Sequence, residues 1–341
     1  MLLQNELVNY IVQNYNVAAP DAVTPVTAGF LSANYVLHTN GEKYFLKQYR
    51  FTQWQAVAAV HEAKFFFAQA KVPIILPLTN RSGETFFALA DKYYSLFPFV
   101  QGQHLARGSF SPRALASCAK MLADVHRAGQ QAKPLYVRKT NVTRSYTPFV
   151  ETAQAILQKV PKVGRTAFDD LAETCIQRKL HLAQQHIADF PTIALVSDHL
   201  IHGDYQDGNL FFDAQEQVSH VFDWEKAEIA PRALELVRAL EFICLSNPDD
   251  YKAVFSEENY AKARHFLQSY HERYPMTQEA FFAAAQTRYL HKLLSLWVEA
   301  DHYLEDNQRV DVFLEAEYHA VNYYAQHLNE YVEQISGGLL A

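Results

Sequence analysis

Apolar and polar residues alternate through much of the first hundred positions, and one helical segment interrupts the alternation. The strand-like runs are residues 23–26, 34–49, 72–78 and 84–100. Within the second run, Asn40-Gly41 separates two alternating stretches, which is a strong hairpin signal. Residues 53–70 contain neither Gly nor Pro and predict a helix. The pattern therefore predicts a β-rich N-terminal unit with one main helix.

After residue 104 the period changes to that of helices. The predicted helices are 111–128, 145–188, 232–246, 257–273, 277–300 and 309–335. One β-rich island, 209–224, lies among them, and its halves 209–213 and 219–223 predict a short hairpin. The whole chain predicts an α+β fold of two lobes, residues 1–99 and 100–341, joined near 98–104. Clefts between lobes are favoured ligand sites.

Composition narrows the class of protein. A chain of 341 residues exceeds the usual size of a single core, and a hydrophobic fraction of 49% supplies ample core material. The net charge of -7 provides no basic footprint for nucleic acid, and no polybasic block marks a membrane surface. The sequence contains no feature that indicates the oligomeric state.

Cysteine usage and the N-terminal sequence suggest a cytoplasmic protein. The three cysteines are far apart and form no C-x-x-C pair, which argues against a disulfide framework or a cysteine zinc site. Residues 1–16 have amphipathic helical spacing and lack the basic region of a signal peptide. No apolar run approaches the length of a membrane span.

The stretch "LIHGDYQDGNLFFD", residues 200–213, places acids, an amide and glycines between apolar runs. If the island forms a hairpin, Asp204, Asn209 and Asp223 meet at one edge of it. Buried carboxylates need a partner or a cation, and hard oxygen ligands suit Mg²⁺ shared with phosphates. A metal between Asn209 and Asp223 would leave Asp204 free to accept a proton from a hydroxyl, as phosphoryl transfer requires.

A cation for the phosphates is available in the N-terminal lobe. Lys47 lies on the same face of its predicted strand as Phe45 and Tyr49, and an inward-facing lysine needs a partner. Glu62, in the middle of the helix that follows, is the expected partner. A plain surface ion pair is the alternative for these two residues.

The chain resembles the aminoglycoside phosphotransferase and choline kinase group, which are small-molecule kinases with a protein-kinase-like fold. The resemblance lies in the strand lysine, the helix glutamate, the motif H-G-D-x-x-x-x-N and the later "FDW". The resemblance extends over nearly the whole chain. It implies that Asp204 is the catalytic base, that Asn209 and Asp223 hold Mg²⁺, and that Lys47 with Glu62 orients the phosphates of ATP.

The same resemblance implies further nucleotide contacts. It makes 97–100 a hinge whose backbone bonds adenine, with Phe97 and Phe99 as its candidate residues. The loop covering the phosphates has one glycine where many relatives have more; its candidates are Gly29, Ser32 and Asn34.

Two further positions bear on the resemblance. Glu225 completes a D-x-E that approaches a second metal in some relatives. Glu235 stands where relatives often have Asp, which predicts a conservative structural change.

Function is thus predicted as transfer of a γ-phosphate to a hydroxyl of a small molecule, such as an aminoglycoside, choline, homoserine or a sugar. A nucleotide-binding pseudokinase and a protein kinase are the alternatives; the chain has "HGD" rather than "HRD" and lacks A-P-E. The donor could be ATP or GTP. His202 is expected to be structural, bonding the backbone around Asp223, and a zinc site with His199 is disfavoured.

The acids and aromatics of the C-terminal helices allow two interpretations. They are either a solvated face over an aromatic core, which is favoured, or a pocket for a cationic substrate. The members are Trp297, Glu299, Asp301, Tyr303, Glu305, Asp306, Asp311, Tyr318, Tyr323 and Tyr324.

Overall fold

The first part of the chain is a five-stranded antiparallel sheet with two helices. A computed structural model describes residues 2–26, 34–140, 145–186, 195–245 and 251–340. The helices are α1 (Leu2–Asn14) and α2 (Trp54–Gln69). The strands are β1 (Ala22–Val26), β2 (Asn34–Thr39), β3 (Glu42–Tyr49), β4 (Phe87–Leu89) and β5 (Lys92–Pro98), in the order β1-β2-β3-β5-β4.

The predicted hairpin at Asn40-Gly41 is confirmed. Both residues have left-handed backbones, with φ of 44° and 85°, and this twist suits a two-residue turn between right-twisted strands. The resulting register places Asn34 opposite Lys47 and, across the next pair, Lys47 opposite Ser95. Lys47 therefore lies in a central strand rather than at a sheet edge.

Apolar residues cover both sides of this sheet. Leu7, Ile11 and Tyr15 of the N-terminal region form one buried cluster with residues of β2, β3, β4 and β5. Helix α2 places Val57 and Phe67 in the main core, which continues into the helical part of the chain. Segment 72–78 is not the predicted strand; Ile74 forms only an isolated bridge with Val221.

The remainder of the described chain is mainly helical. The helices are α3 (Pro112–Gly129), α4 (Tyr146–Lys159), α5 (Ala167–His186), α6 (Arg232–Ile243), α7 (Glu257–Arg273), α8 (Gln278–Leu293), α9 (Trp297–Glu305) and α10 (Leu314–Ser336). Three boundaries correct the sequence prediction. The segment 145–188 is two helices, because Pro161 and a left-handed Gly164 lie between them. The segment 277–300 also divides, and 309–335 begins as a 3₁₀ turn.

Two small strand pairs lie among the helices. Strand β7 (Leu210–Phe212) pairs antiparallel with β8 (Val218–Val221), which confirms the predicted hairpin. Strand β6 (His199–Ile201) pairs with β9 (Glu228–Ala230), a pairing that the sequence pattern did not predict. The two parts of the chain touch where Val221 donates its N–H to Pro73 O at 2.8 Å.

This architecture is the predicted α+β, protein-kinase-like fold. The proposed lobe boundary between residues 99 and 100 stays a prediction, although β5 ends at Pro98. In the part of the chain that the structure describes, no helix is both long enough and apolar enough to cross a membrane.

Candidate active site

The loop after β6 has a backbone that requires glycine at one position. Gly203 has φ of 79°, and a Cβ atom there would collide with the carbonyl oxygen of Lys226. The loop continues into a 3₁₀ turn, Asp207–Asn209, and then into β7. This close approach brings the segment after β8 against the loop that carries Asp204.

Glu235, near the start of α6, holds the same loop in place through hydrogen bonds. Its Oε1 accepts the N–H of Gly203, and its Oε2 accepts the N–H of His202 at 3.1 Å and Nε2 of His126 at 2.9 Å. The side chain is fully buried. Burial alone would raise the pKa of Glu235, but the hydrogen bond from His126 and neighbouring positive charge hold that pKa below its ordinary value. Glu235 is therefore an ionised, buried carboxylate that positions the loop.

His126 connects Glu235 to Tyr270 in the core. Its Nδ1 lies 2.7 Å from the hydroxyl of Tyr270 on α7. Burial lowers the pKa of His126, so the ring is neutral, donates from Nε2 to Glu235 and accepts from Tyr270. A buried row of three side chains on α3, α6 and α7 thus sets the position of residues 202–203.

His202 is structural, as predicted. Its Nε2 donates to the carbonyl of Phe222 at 2.9 Å, and its Nδ1 accepts the N–H of Asp204 at 3.2 Å. The ring therefore ties the backbone before Asp223 to the backbone of Asp204. Both ring nitrogens are used in these bonds, which leaves neither for a metal.

Asp204 lies beside two cationic side chains. Its Oδ2 accepts from Lys226 Nζ at 3.0 Å and from Gln206 Nε2 at 3.2 Å. Its Oδ1 lies 3.6 Å from Nη2 of Arg238. The carboxylate is mostly buried but keeps some exposed surface. It can therefore be reached by a hydroxyl group while staying next to two cations.

Asn209 and Asp223 are brought together, as the hairpin prediction required. The N–H of Phe222 donates to the carbonyl of Asn209 at 3.1 Å, so Asp223 follows directly after this contact. Asn209 Nδ2 donates to the carbonyl of Asp204 at 2.8 Å. Among the described residues, none donates a hydrogen bond to the amide oxygen of Asn209.

The ammonium group of Lys47 pairs with two carboxylates of the helical part. Its Nζ lies 2.8 Å from Oδ1 of Asp223 and 2.7 Å from Oε1 of Glu225. Burial would lower the pKa of Lys47, but these two charges raise it above its ordinary value. Lys47 in turn lowers the pKa of Asp223 against the effect of burial.

The predicted pairing of Lys47 with Glu62 is wrong. Both carboxylate oxygens of Glu62 accept backbone N–H groups, from Leu135 at 2.7 Å and from Tyr136 at 3.0 Å. The helical period explains the error, because the buried face of α2 presents His61 and Lys64 and leaves Glu62 beside the loop that follows α3.

Lys64 is a second buried cation that the sequence reasoning missed. Its Nζ lies 4.1 Å from the ring centre of Phe97, and no described carboxylate forms an ion pair with it. Burial, and then the charge of Lys47, lowers the pKa of Lys64 to about 7. The one available signal was its helical spacing from Val57, Val60 and Phe67.

The remaining predicted nucleotide contacts are only partly described. Phe97 is buried at the end of β5, whereas Phe99 is exposed and its N–H donates to the carbonyl of Lys43 at 3.2 Å. Asn34 of β2 lies directly opposite Lys47 of the neighbouring strand β3. Gly29 and Ser32 lie outside the described residues.

The donor set fits a hard cation that retains other ligands. Asp223 and Glu225 each place a carboxylate oxygen within 2.8 Å of Lys47 Nζ, and Asn209 is joined through its backbone carbonyl to Phe222, the residue before Asp223. Among the described residues, no three side chains of His, Cys, Asp or Glu form a closed metal cage. Two carboxylates and an amide match the way Mg²⁺ is held when phosphates complete its coordination.

A family model described as the phosphotransferase enzyme family matches residues 22–270, well over half of the chain. The chain belongs to the phosphotransferase enzyme family. The predicted membership of the aminoglycoside phosphotransferase group is thereby confirmed, as is the prediction of a small-molecule phosphotransferase.

Relatives and structures agree with this assignment. A homoserine kinase of Parvibaculum lavamentivorans is 23% identical over 278 residues, 80% of this chain and 78% of that protein. A spectinomycin phosphotransferase solved with ADP and spectinomycin has a TM-score of 0.66 at 16% identity, covering 97% of this chain and 98% of that one. A microcompartment-associated aminopropanol kinase has a TM-score of 0.65 at 14% identity, covering 95% and 98%.

Two cations of this candidate site, Lys226 and Arg238, were not predicted from the sequence. Lys226 follows the D-x-E residues directly, and Arg238 lies one helical turn after Glu235, on the same side of α6. Arg238 Nη1 donates to the carbonyl of Gly203 at 2.8 Å. The i, i+3 spacing from Glu235 was the signal that would have found Arg238.

Proposed function

We propose that this phosphotransferase transfers the γ-phosphate of ATP, with Mg²⁺, to a hydroxyl group of a small molecule. One observation carries the proposal. The loop of residues 202–209 holds the Asp204 carboxylate beside Lys226 with part of its surface exposed, while Lys47 reaches from the sheet to Asp223 and Glu225. A base for the acceptor and charged groups for the phosphates thus lie on neighbouring segments.

The chemistry at Asp204 is proton acceptance. The acceptor oxygen attacks the γ-phosphorus, the bond from that phosphorus to the β–γ bridging oxygen breaks, and the nucleoside diphosphate leaves. The hydroxyl proton passes to Asp204. Phosphoryl transfer goes largely through positioning and charge neutralisation, so the rigid support of Asp204 by His202 and Glu235 matters as much as its basicity.

The other groups act on the nucleotide. Asn209, Asp223 and Glu225 would hold Mg²⁺, which neutralises charge on the phosphates when bound. Lys47 supplies a cation held in a central strand, and its raised pKa keeps it protonated. Phe97 and the segment 97–100 remain the proposed adenine hinge, and Gly29, Ser32 and Asn34 the proposed phosphate loop.

Solved relatives support the nucleotide. The spectinomycin phosphotransferase was solved with ADP, and an amicoumacin kinase with a TM-score of 0.65 was solved with AMP-PNP and Ca²⁺. All three cysteines are buried and free, which fits a reducing compartment. We therefore expect the reaction to take place in the cytoplasm.

The test is nucleotide consumption with a panel of small alcohols. Purified protein is incubated with Mg²⁺-ATP or Mg²⁺-GTP and each candidate acceptor, and nucleoside diphosphate formation above the no-acceptor background is measured. We expect at least one acceptor to raise consumption, and EDTA to abolish the increase. Binding of Mg²⁺-ATP without turnover of any acceptor would favour a pseudokinase; absence of nucleotide binding would refute both.

A further inference from the structure

The accessible charge beside Asp204 is positive. The Lys226 side chain, 3.0 Å from Oδ2 of Asp204, is 53% exposed, and the Arg238 side chain, 3.6 Å from Oδ1, is 24% exposed. The Asp204 side chain itself is only 11% exposed. A molecule that places its hydroxyl at Asp204 therefore meets an ammonium and a guanidinium at its neighbouring atoms.

The other carboxylates near Arg238 are already engaged. Both oxygens of Glu235 accept from His126 and the loop backbone. Glu241, further along α6, accepts from Arg288 Nε at 2.7 Å and from the hydroxyl of Tyr324 at 2.7 Å. Burial and then the charge of Arg288 lower the pKa of Arg238, against the charges of Glu235, Asp204 and Glu241. Within the described ranges, Asp204 is the one carboxylate that forms an ion pair with Arg238 or Lys226.

Three acids of the C-terminal helices, which the sequence offered for a cationic substrate, have internal partners. Glu299 is buried in an ion pair with Lys179, at 3.2 Å. Asp311 pairs with His302 at 2.9 Å, and Asp301 accepts from Asn307 Nδ2 at 3.0 Å. Glu305 and Asp306 of the same set are exposed.

From this arrangement we infer that the acceptor alcohol carries a carboxylate near its reacting hydroxyl, and that Arg238 and Lys226 select it. The inference rests on the proposed function. A planar guanidinium matches a carboxylate with two parallel hydrogen bonds, and Arg238 is held in place by its bond to Gly203 O while keeping exposed surface. A cationic acceptor would meet like charge at the same atoms.

The first test compares acceptors that differ only in this charge. L-Homoserine is paired with L-homoserine amide, and L-serine with serinamide, under Mg²⁺-ATP. Choline, 1-amino-2-propanol and spectinomycin represent cationic acceptors without a carboxylate. We expect kcat/KM to be at least ~10-fold higher for a carboxylate than for its amide, the ratio that corresponds to about 1.4 kcal/mol.

The second test removes the cations. Arg238→Gln and Lys226→Gln are compared with Lys162→Gln, which changes an exposed lysine in the turn between α4 and α5. We expect the first two to raise KM for the carboxylate acceptor ~10-fold or more and to change KM for its amide by less than ~3-fold. Arg238→Lys should recover part of the loss, because it keeps the charge without the planar fork.

Each outcome decides between explanations. An equal loss for acid and amide would show that Arg238 and Lys226 only position the loop or serve the phosphate, and would overturn the inference. Turnover restricted to the cationic acceptors would overturn it too, as would Mg²⁺-ATP binding without turnover of any carboxylate acceptor. Failure to bind Mg²⁺-ATP at all would instead refute the proposed function itself.

Discussion

The ammonium of Lys47 lies 2.7 Å from Oε1 of Glu225, and this ion pair joins β3 to the segment that follows β8. The pair, together with Asp223, places the cation proposed to bind phosphate and the carboxylates proposed to bind the metal within 2.8 Å of one another. Glu62, the partner expected from the sequence, is instead bonded to the backbone of residues 135–136. The proposed nucleotide site therefore depends on contacts between the sheet and the helical part.

Changing Glu62 and Glu225 should separate these two assignments. Glu225→Gln should weaken Mg²⁺-ATP binding ~10-fold or more, because a charged hydrogen bond is worth about 1.5–3 kcal/mol. Glu62→Gln keeps an acceptor oxygen for the backbone and should change the Kd for Mg²⁺-ATP by less than ~3-fold. Isothermal titration measures both. A larger loss for Glu62→Gln than for Glu225→Gln would restore the Lys47–Glu62 pair as the working arrangement.

Two glycines of the loop that carries Asp204, Gly203 and Gly208, can be compared directly. Gly203→Ala should destabilise the fold by about 2–4 kcal/mol, because Ala is strained in a left-handed backbone and its Cβ strikes the carbonyl of Lys226. Gly208 has no heavy atom within 4 Å of the point where a Cβ would lie, so Gly208→Ala should change stability by less than ~1 kcal/mol. Urea unfolding measures both free energies. Similar values for the two variants would contradict the tight approach at Gly203.

Stability should fall in acid partly because of His61. Burial, then the charges of Lys64 and Lys47, lowers the pKa of His61 to about 3, whereas an unfolded His titrates near 6.5. Between these values the unfolded chain binds the extra proton, so stability rises with pH across this window. The loss from pH 7 to pH 5 is about 2 kcal/mol for one such group.

The variant His61→Gln should reduce this pH dependence, measured as the difference in unfolding free energy between pH 7 and pH 5. Buried His126 and His199 also have lowered pKa values, so part of the dependence should remain. His181→Gln, at an exposed position, is the control. An unchanged difference in His61→Gln would show that His61 is not held neutral by burial.

Local sequence predicted much of the fold because its signals were strong and short-range. The turn at Asn40-Gly41, the uninterrupted helix at 53–70 and the hairpin around 209–224 each depend on neighbouring residues alone. The pairing of β6 with β9 was missed, since strands of three residues carry no measurable period. The break at Pro161 and Gly164 was readable but was overridden by the long helical pattern around it.

The candidate site followed the same rule. Asp204, Asn209 and Asp223 were found because a short motif and a hairpin bring them together within the sequence. The partner of Lys47 was not predicted correctly. The choice of partner depends on how α2 is rotated against the sheet and on which residues of the helical part reach β3. The hydrogen bonds among His126, Glu235 and Tyr270 join three helices that are distant in sequence. No local sequence pattern predicts such contacts.

Asp204 and Asp223 are assigned different tasks, and changing each to Asn should have different effects. Asp204→Asn should leave the Kd for Mg²⁺-ATP close to that of the unchanged protein while slowing transfer to the best acceptor by ~10²–10⁴-fold. Asp223→Asn should instead weaken Mg²⁺-dependent ATP binding, because the ion loses a charged ligand. Isothermal titration of Mg²⁺-ATP into both variants, paired with single-turnover transfer, measures the contrast. We expect normal binding with slowed transfer in Asp204→Asn; lost binding in Asp204→Asn with normal binding in Asp223→Asn would show that the two roles are wrongly assigned.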